Sequence, residues 1–152
     1  REVSALSPGA MGQTGLEAAE IIRAVVKAFP FRAVVAVDAL AARSMQRLGM
    51  TVQLADSGIA PGAGVMNRRV ELSQRTLGLP VVSLGIPTVV DAATLLADFA
   101  PACDANEAAS GLIVTPRDID RIISDGARLL ARGLNRALQP SLSPADIDLL
   151  MS

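Results

Sequence analysis

The chain has 152 residues, a length that predicts one domain with a sizeable core, and 51% of them are hydrophobic although only 2% are aromatic. A formal charge of −1 argues against affinity for a nucleic-acid backbone over the whole surface, and no apolar run reaches the ~18 residues of a membrane span, which fits a soluble protein with no membrane partner. With no histidine and one cysteine, Cys103, the chain excludes imidazole triads, imidazole- or thiolate-bound metal and an internal disulfide, so acid–base chemistry falls to Asp, Glu, Lys27 or bound water and no cofactor is expected.

In chain order, Val3 to Leu6 reads as a short strand, followed by the glycine-rich turn SPGAMGQTG. Thr14 and Glu17 form a T-x-x-E capping box, which predicts a helix from Gly15 to about Ala28. AVVAV has no polar alternation and reads as a fully buried strand. Strand, helix and strand with short connections suggest a right-handed parallel unit. Met50 to Ala55 is a further strand, and DSGIAPGAGVMNRR a long glycine- and proline-rich loop. LPVVSLGIP carries the next buried strand, Val81 to Leu84, and a helix follows from about Val89 to Phe99. PACDANEAASG is a surface connection. Thr115, Pro116 and Asp118 supply an N-cap, a proline at the first helical position and a capping acid. Ile119, Ile122, Ile123, Leu130, Leu134 and Leu138 then recur at helical spacing and predict one buried face. SPAD, Ser143 to Asp146, caps a final short helix. The fold class expected is a single α/β domain, a three-layer sandwich with a mostly parallel central sheet.

Ligands of open parallel sheets gather outside the carboxyl ends of the strands. AVVAV places Asp38 there, while Asp56 follows QLA and Asp91 follows the Val81–Leu84 strand and the GIPTVV turn. Three acids are thus candidates for one rim, where two close carboxylates share a proton, one serving as base and the other as acid. Each has a structural alternative. Asp91 stabilises free N–H groups at a helix start, Asp56 belongs to a D-S-G turn, and Asp38 pairs with Arg43 one helical turn on. The glycines of SGIAPGAGVMNRR suit an anion site held by Arg68 and Arg69, although neither G-K-[ST] nor G-x-G-x-x-G is present. A loop that closes over a polypeptide, or packs a subunit contact, fits as well. Cys103 lies in a polar loop with no histidine to activate it.

Taken together, PGAMGQTGLEAAEII, VVAVDALAARS, ADSGIAPGAGVMNRRVELSQRTLGLPVVSLGIPTVVDA and LIVTPRDID resemble the germination protease family of spore-forming bacteria. The resemblance runs from about Pro8 to Ala93 and resumes from Leu112 to Leu138. It implies an endopeptidase that degrades the small acid-soluble proteins coating spore DNA. It also implies an atypical aspartic protease on a fold similar to hydrogenase-maturation proteases, made as a zymogen, tetrameric, and working in the cytoplasm of the spore core. The VDALAAR motif carries one catalytic role onto Asp38. The second catalytic aspartate of the family lies in a V-T-P-D-x-L-G-P-like segment upstream of PGAMGQTG, where this chain has no such segment. With Arg1 at its start, the chain is expected to be the C-terminal portion of a longer protease and inactive by itself. The D-S-G-I-x-P-G-x-G pattern carries a substrate-cleft role onto Gly58, Gly62, Gly64, Asn67, Arg68 and Arg69.

The chain departs from the family pattern at three positions and in one segment. Ala60 stands where histidine is usual, Met66 where glycine is usual and Val70 where lysine is usual, and the insertion after PTVVDA is shortened to PACDANEAAS. Two rival readings are a catalytically silent spore protein of the same fold and a hydrogenase-maturation-type endopeptidase. The latter is expected to use a histidine ligand, and the chain has no histidine.

Overall fold

The computed structural model describes residues 1–9, 17–61, 70–100, 109 and 111–151. They form two compact units, one of Pro8–Pro116 and one of Arg1–Ser7 with Arg117–Ser152.

The larger unit is organised around β3, Val81–Asp91. This strand pairs with β1 (Val34–Ala42), β2 (Gln53–Ala55) and β4 (Ile113–Val114) in a four-stranded sheet of order β1-β3-β2, with β4 also on β3. β1 runs parallel to β3, whereas β2 and β4 run antiparallel to it. The sheet is therefore mixed, which corrects the expectation of a mostly parallel one. Apolar patterning reports burial but not strand direction, and strands of two and three residues carry little pattern of any kind.

β3 extends to Asp91 instead of ending at Leu84. Its second half is rich in β-branched residues that suit a pleated surface; Val90 is 0% exposed, paired with Ala42 on one side and Val114 on the other. Pro87 in a strand interior cannot donate to the ladder, and such prolines sit at bulges. Here the β1–β3 register shifts between Leu40 and Ala41, so that Leu40 faces Pro87 and Ala41 faces Val89. The carbonyls at this bulge are satisfied from outside the ladder. The Gly49 N–H donates to the Pro87 carbonyl (2.7 Å), and the Thr115 hydroxyl donates to the Thr88 carbonyl (2.9 Å). The following helix, expected from Val89, consequently starts three residues later at Ala92–Phe99.

β1 also departs from expectation. It continues through Asp38 to Ala42, so Asp38 sits in mid-strand and not beyond a carboxyl end. Nor is the strand fully buried: Ala36, Asp38 and Leu40 are half-buried while Val35 and Val37 are exposed. Among the described residues β1 is an edge strand, paired only with β3. An uninterrupted apolar run fits such a strand as well as a central one.

Val3 to Leu6 forms no strand, and Val3 and Leu6 are 56% and 54% exposed. Strand propensity without a partner does not make a strand. Arg1 is instead tied to Gln139, donating to its Oε1 (2.9 Å) and accepting from its Nε2 (2.7 Å). Helix α1, Ala18–Ala28, has Glu17 at its N-cap; Thr14, the other half of the expected capping box, lies outside the described residues. The short helix α2 is Gln74–Leu77 and α3 is Ala92–Phe99.

In the smaller unit, α4 spans Ile119–Leu138 with Asp118 at the N-cap, not Thr115, whose hydroxyl is engaged with Thr88. Ile119, Ile122, Leu130, Leu134 and Leu138 are half-buried with Gly126 buried between them, but Ile123 is 51% exposed and leaves the stripe. α5, Pro144–Leu150, packs on α4 through Ile147. It begins with the expected cap, since the Ser143 hydroxyl accepts from the Asp146 N–H and the Asp146 carboxylate accepts from the Ser143 N–H.

Candidate active site

Asp38 is the fifth residue of β1 and lies opposite Gly85 of β3. Gly85 has an ordinary backbone conformation, so its role is one of space. A Cβ there would run into the Asp38 carbonyl oxygen and lie 2.8 Å from the Leu40 Cγ. A glycine inside a strand marks this kind of close backbone approach. Gly85 thus sets how near β3 comes to the backbone that carries the carboxylate. Asp38 Oδ1 accepts a hydrogen bond from the Ala39 N–H (2.9 Å), which orients the side chain from its own strand.

Two residues along the same strand face, Leu40 lines a cavity of about 480 Å³. Gly85, Ser83, Gly58, Arg43 and Arg47 also line it. Gly58 reaches this wall by a conformation that side chains resist. Its φ is +93°, and a Cβ would meet the Leu72 carbonyl oxygen at 2.5 Å. The contact belongs to the bridge between Ile59 and Leu72, which ties the start of the glycine-rich loop to its return. Gly62, Gly64, Asn67, Arg68 and Arg69 lie outside the described residues, as does Cys103.

The three acids considered from sequence are not brought together. Asp91 is the N-cap of α3 and accepts from the Ala93 N–H (2.8 Å), the structural role weighed for it. It lies six positions beyond Gly85 on β3, or about 20 Å from the Asp38 register at ~3.3 Å per residue. Asp56 is exposed in the bend after β2, two strands across from β1, about 10 Å at the usual strand spacing before any offset along the sheet. Because the segment after Asp38 is extended, Arg43 does not stand one helical turn from it.

Asp38 is half-buried on the strand whose Leu40 lines this cavity, and a carboxylate of this kind is a suitable base toward a bound water. Gly85 and Arg47 were not singled out from sequence. An isolated glycine in an apolar strand run was the available signal for the first, whereas nothing local points Arg47 toward the cavity.

A family profile described as germination protease matches residues 1–101. The germination protease of Clostridium acetobutylicum is 39% identical over 180 aligned positions, which cover 97% of this chain and 55% of that protein. That of Bacillus velezensis is 37% identical, covering 94% and 56%; that of Bacillus pumilus reaches 53% over 98 positions, covering 64% and 26%. The chain spans about half the length of the first two of these relatives. An alignment of 180 positions to 152 residues also requires relatives to carry residues with no counterpart here.

Proposed function

The chain belongs to the germination protease family, and we propose that it is part of an endopeptidase that begins the breakdown of the small acid-soluble, DNA-coating proteins of spores. Asp38 is the general base. Its carboxylate takes a proton from a water molecule whose oxygen bonds to the peptide carbonyl carbon. The C–N bond then breaks as a second carboxylic acid gives its proton to the leaving amine. In this scheme the second acid is the family's aspartate that the motif resemblance places upstream of PGAMGQTG; among the described residues Asp56 and Asp91 do not lie beside Asp38. The observation that carries this reading is the half-buried Asp38 in mid-strand, held opposite Gly85 and two residues from the cavity wall at Leu40.

Gly58, Gly62, Gly64, Asn67, Arg68 and Arg69 form the substrate cleft in this scheme, with the two arginines meeting acidic groups of the substrate. The full-length protein is a zymogen-derived homotetramer of the spore cytoplasm, a three-layer sandwich similar to hydrogenase-maturation proteases, and it uses no cofactor. The test is digestion of a purified small acid-soluble spore protein by the full-length protein that contains this chain, with fragments read by mass spectrometry. Discrete internal cleavage that persists in a chelator is expected. An intact substrate contradicts the activity, and loss of cleavage on chelation contradicts the carboxylate-only chemistry.

A further inference from the structure

The smaller unit holds a cavity of its own, about 450 Å³, between α4 and α5; Arg132, Gly133, Arg136, Pro144, Ile147 and Asp148 line it. Arg132 and Arg136 stand one turn apart on α4, where like charges weaken a helix. Both are nevertheless held in place. The Arg132 Nε donates to the Asp148 carboxylate (2.8 Å), and one terminal nitrogen of Arg136 donates to the Pro140 and Leu142 carbonyls (2.9 and 2.6 Å). A guanidinium has more N–H donors than these bonds use. Among the bonds of the described residues, Arg136 keeps the edge formed by Nε and its other terminal nitrogen, and Arg132 keeps both terminal nitrogens. Two guanidiniums against one carboxylate also give the lining a net positive charge.

Gly133 supplies the second argument. Glycine in a helix interior weakens the helix through the backbone freedom it loses on folding. No packing accounts for this one, since its φ is not positive and an added Cβ would have nothing within 4 Å. What the missing side chain does is leave the cavity open beside the two arginines. Pro144 and the buried Ile147 give the lining an apolar part, which suits an organic body. A carboxylate is satisfied by one guanidinium edge, whereas the terminal oxygens of a phosphate monoester can take donors from two.

We propose that this cavity binds a small organic phosphate, the phosphate bridging Arg132 and Arg136 and the organic body resting against Gly133, Pro144 and Ile147. The site does not depend on the chemistry assigned to Asp38, so its test reads binding and not cleavage. It is tested by isothermal titration calorimetry of the full-length protein with phenyl phosphate, inorganic phosphate and benzoate. Phenyl phosphate should bind once per chain, at least about fivefold tighter than either of the others. Arg132→Gln/Arg136→Gln should lose about tenfold in affinity, the lower range for charged hydrogen bonds because both arginines are exposed. Gly133→Leu fills the cavity with no clash at its Cβ, so it should lose as much while melting no lower than wild type. That variant separates loss of the ligand from loss of the fold. Arg128→Gln, also on α4 but outside the lining, should bind within about twofold of wild type. Phenyl phosphate that does not bind, or that binds Gly133→Leu as it binds wild type, overturns the assignment. A loss in Arg128→Gln as large as in the double variant shows diffuse attraction and overturns the site. Benzoate bound as tightly as phenyl phosphate overturns the phosphate, and inorganic phosphate bound as tightly overturns the organic body. Arginine-dependent sedimentation with phosphatidate vesicles, in place of phenyl phosphate binding, assigns the cavity to a lipid headgroup and overturns the soluble ligand.

Discussion

Gly85 and Asp38 act as one structural pair, because the glycine's missing side chain is the space in which the Asp38 carbonyl and Leu40 sit. Gly85→Ala forces backbone against Cβ, and overpacking of this kind costs about 1–3 kcal/mol. The full-length variant should unfold at lower temperature and lose activity together, as read by circular dichroism and by digestion; an unchanged melting temperature contradicts the close approach. Two other carboxylates make a pH prediction. The Arg121 hydrogen bond holds the Asp118 carboxyl below its ordinary value, and the Ser143 hydroxyl does the same for Asp146. A pKa depressed in the folded state gives stability that is complete above the unfolded value and fades as pH falls through the folded one. Thermal stability should therefore drop below about pH 4, and Asp146→Asn should flatten that acid limb; an identical limb in the variant removes Asp146 from the effect. Roles that depend on sequence neighbours, such as the Asp91 cap and the Ser143–Asp146 box, were legible from the chain alone. The importance of Gly85 was not, because it follows from a β1–β3 register set across 47 residues of sequence.

Among the elements, β1, β3, α1, α4 and α5 could be placed from apolar runs, periodicity and caps. The C-terminal ends of β1 and β3 and the antiparallel setting of β2 and β4 could not. β3 reaches Asp91 because a bulge accommodates Pro87 and because Gly49 and Thr115 satisfy carbonyls there, all of which are contacts from distant segments. Val3 to Leu6 has the composition of a strand but finds no ladder, and Asp38 falls in mid-strand because β1 keeps pairing with β3 as far as Ala42. Helix α4 offers a clean element-scale test. Gly133 lies in its interior with nothing within 4 Å of an added Cβ and without a positive φ. Alanine there reduces the backbone freedom lost on folding, so Gly133→Ala should stabilise the helix by about 1 kcal/mol. A rise in the melting temperature of the full-length protein is expected, and a fall would show that the position is closed.

At the scale of the whole molecule, family membership and a candidate base were both within reach of the sequence, since the motifs around Asp38 keep their order over much of the chain. The mixed sheet, the two units and the separation of Asp38 from Asp56 and Asp91 required coordinates. That separation leads to a prediction about the chain as given: the 152 residues alone should not cleave a small acid-soluble spore protein, whereas the full-length protein should. Activity from the shorter chain would place the whole catalytic set within it. The central claim is that the Asp38 carboxylate is the base, and an asparagine tests it with little disturbance, because its side-chain oxygen can still accept from the Ala39 N–H. Removing a general base typically costs ~10²–10⁴ in rate. The deciding measurement is the initial rate of digestion of a purified small acid-soluble spore protein by full-length wild type and full-length Asp38→Asn, both checked for equal melting temperature. A loss of at least about a hundredfold in the folded variant is expected, and a wild-type rate from that variant contradicts the account.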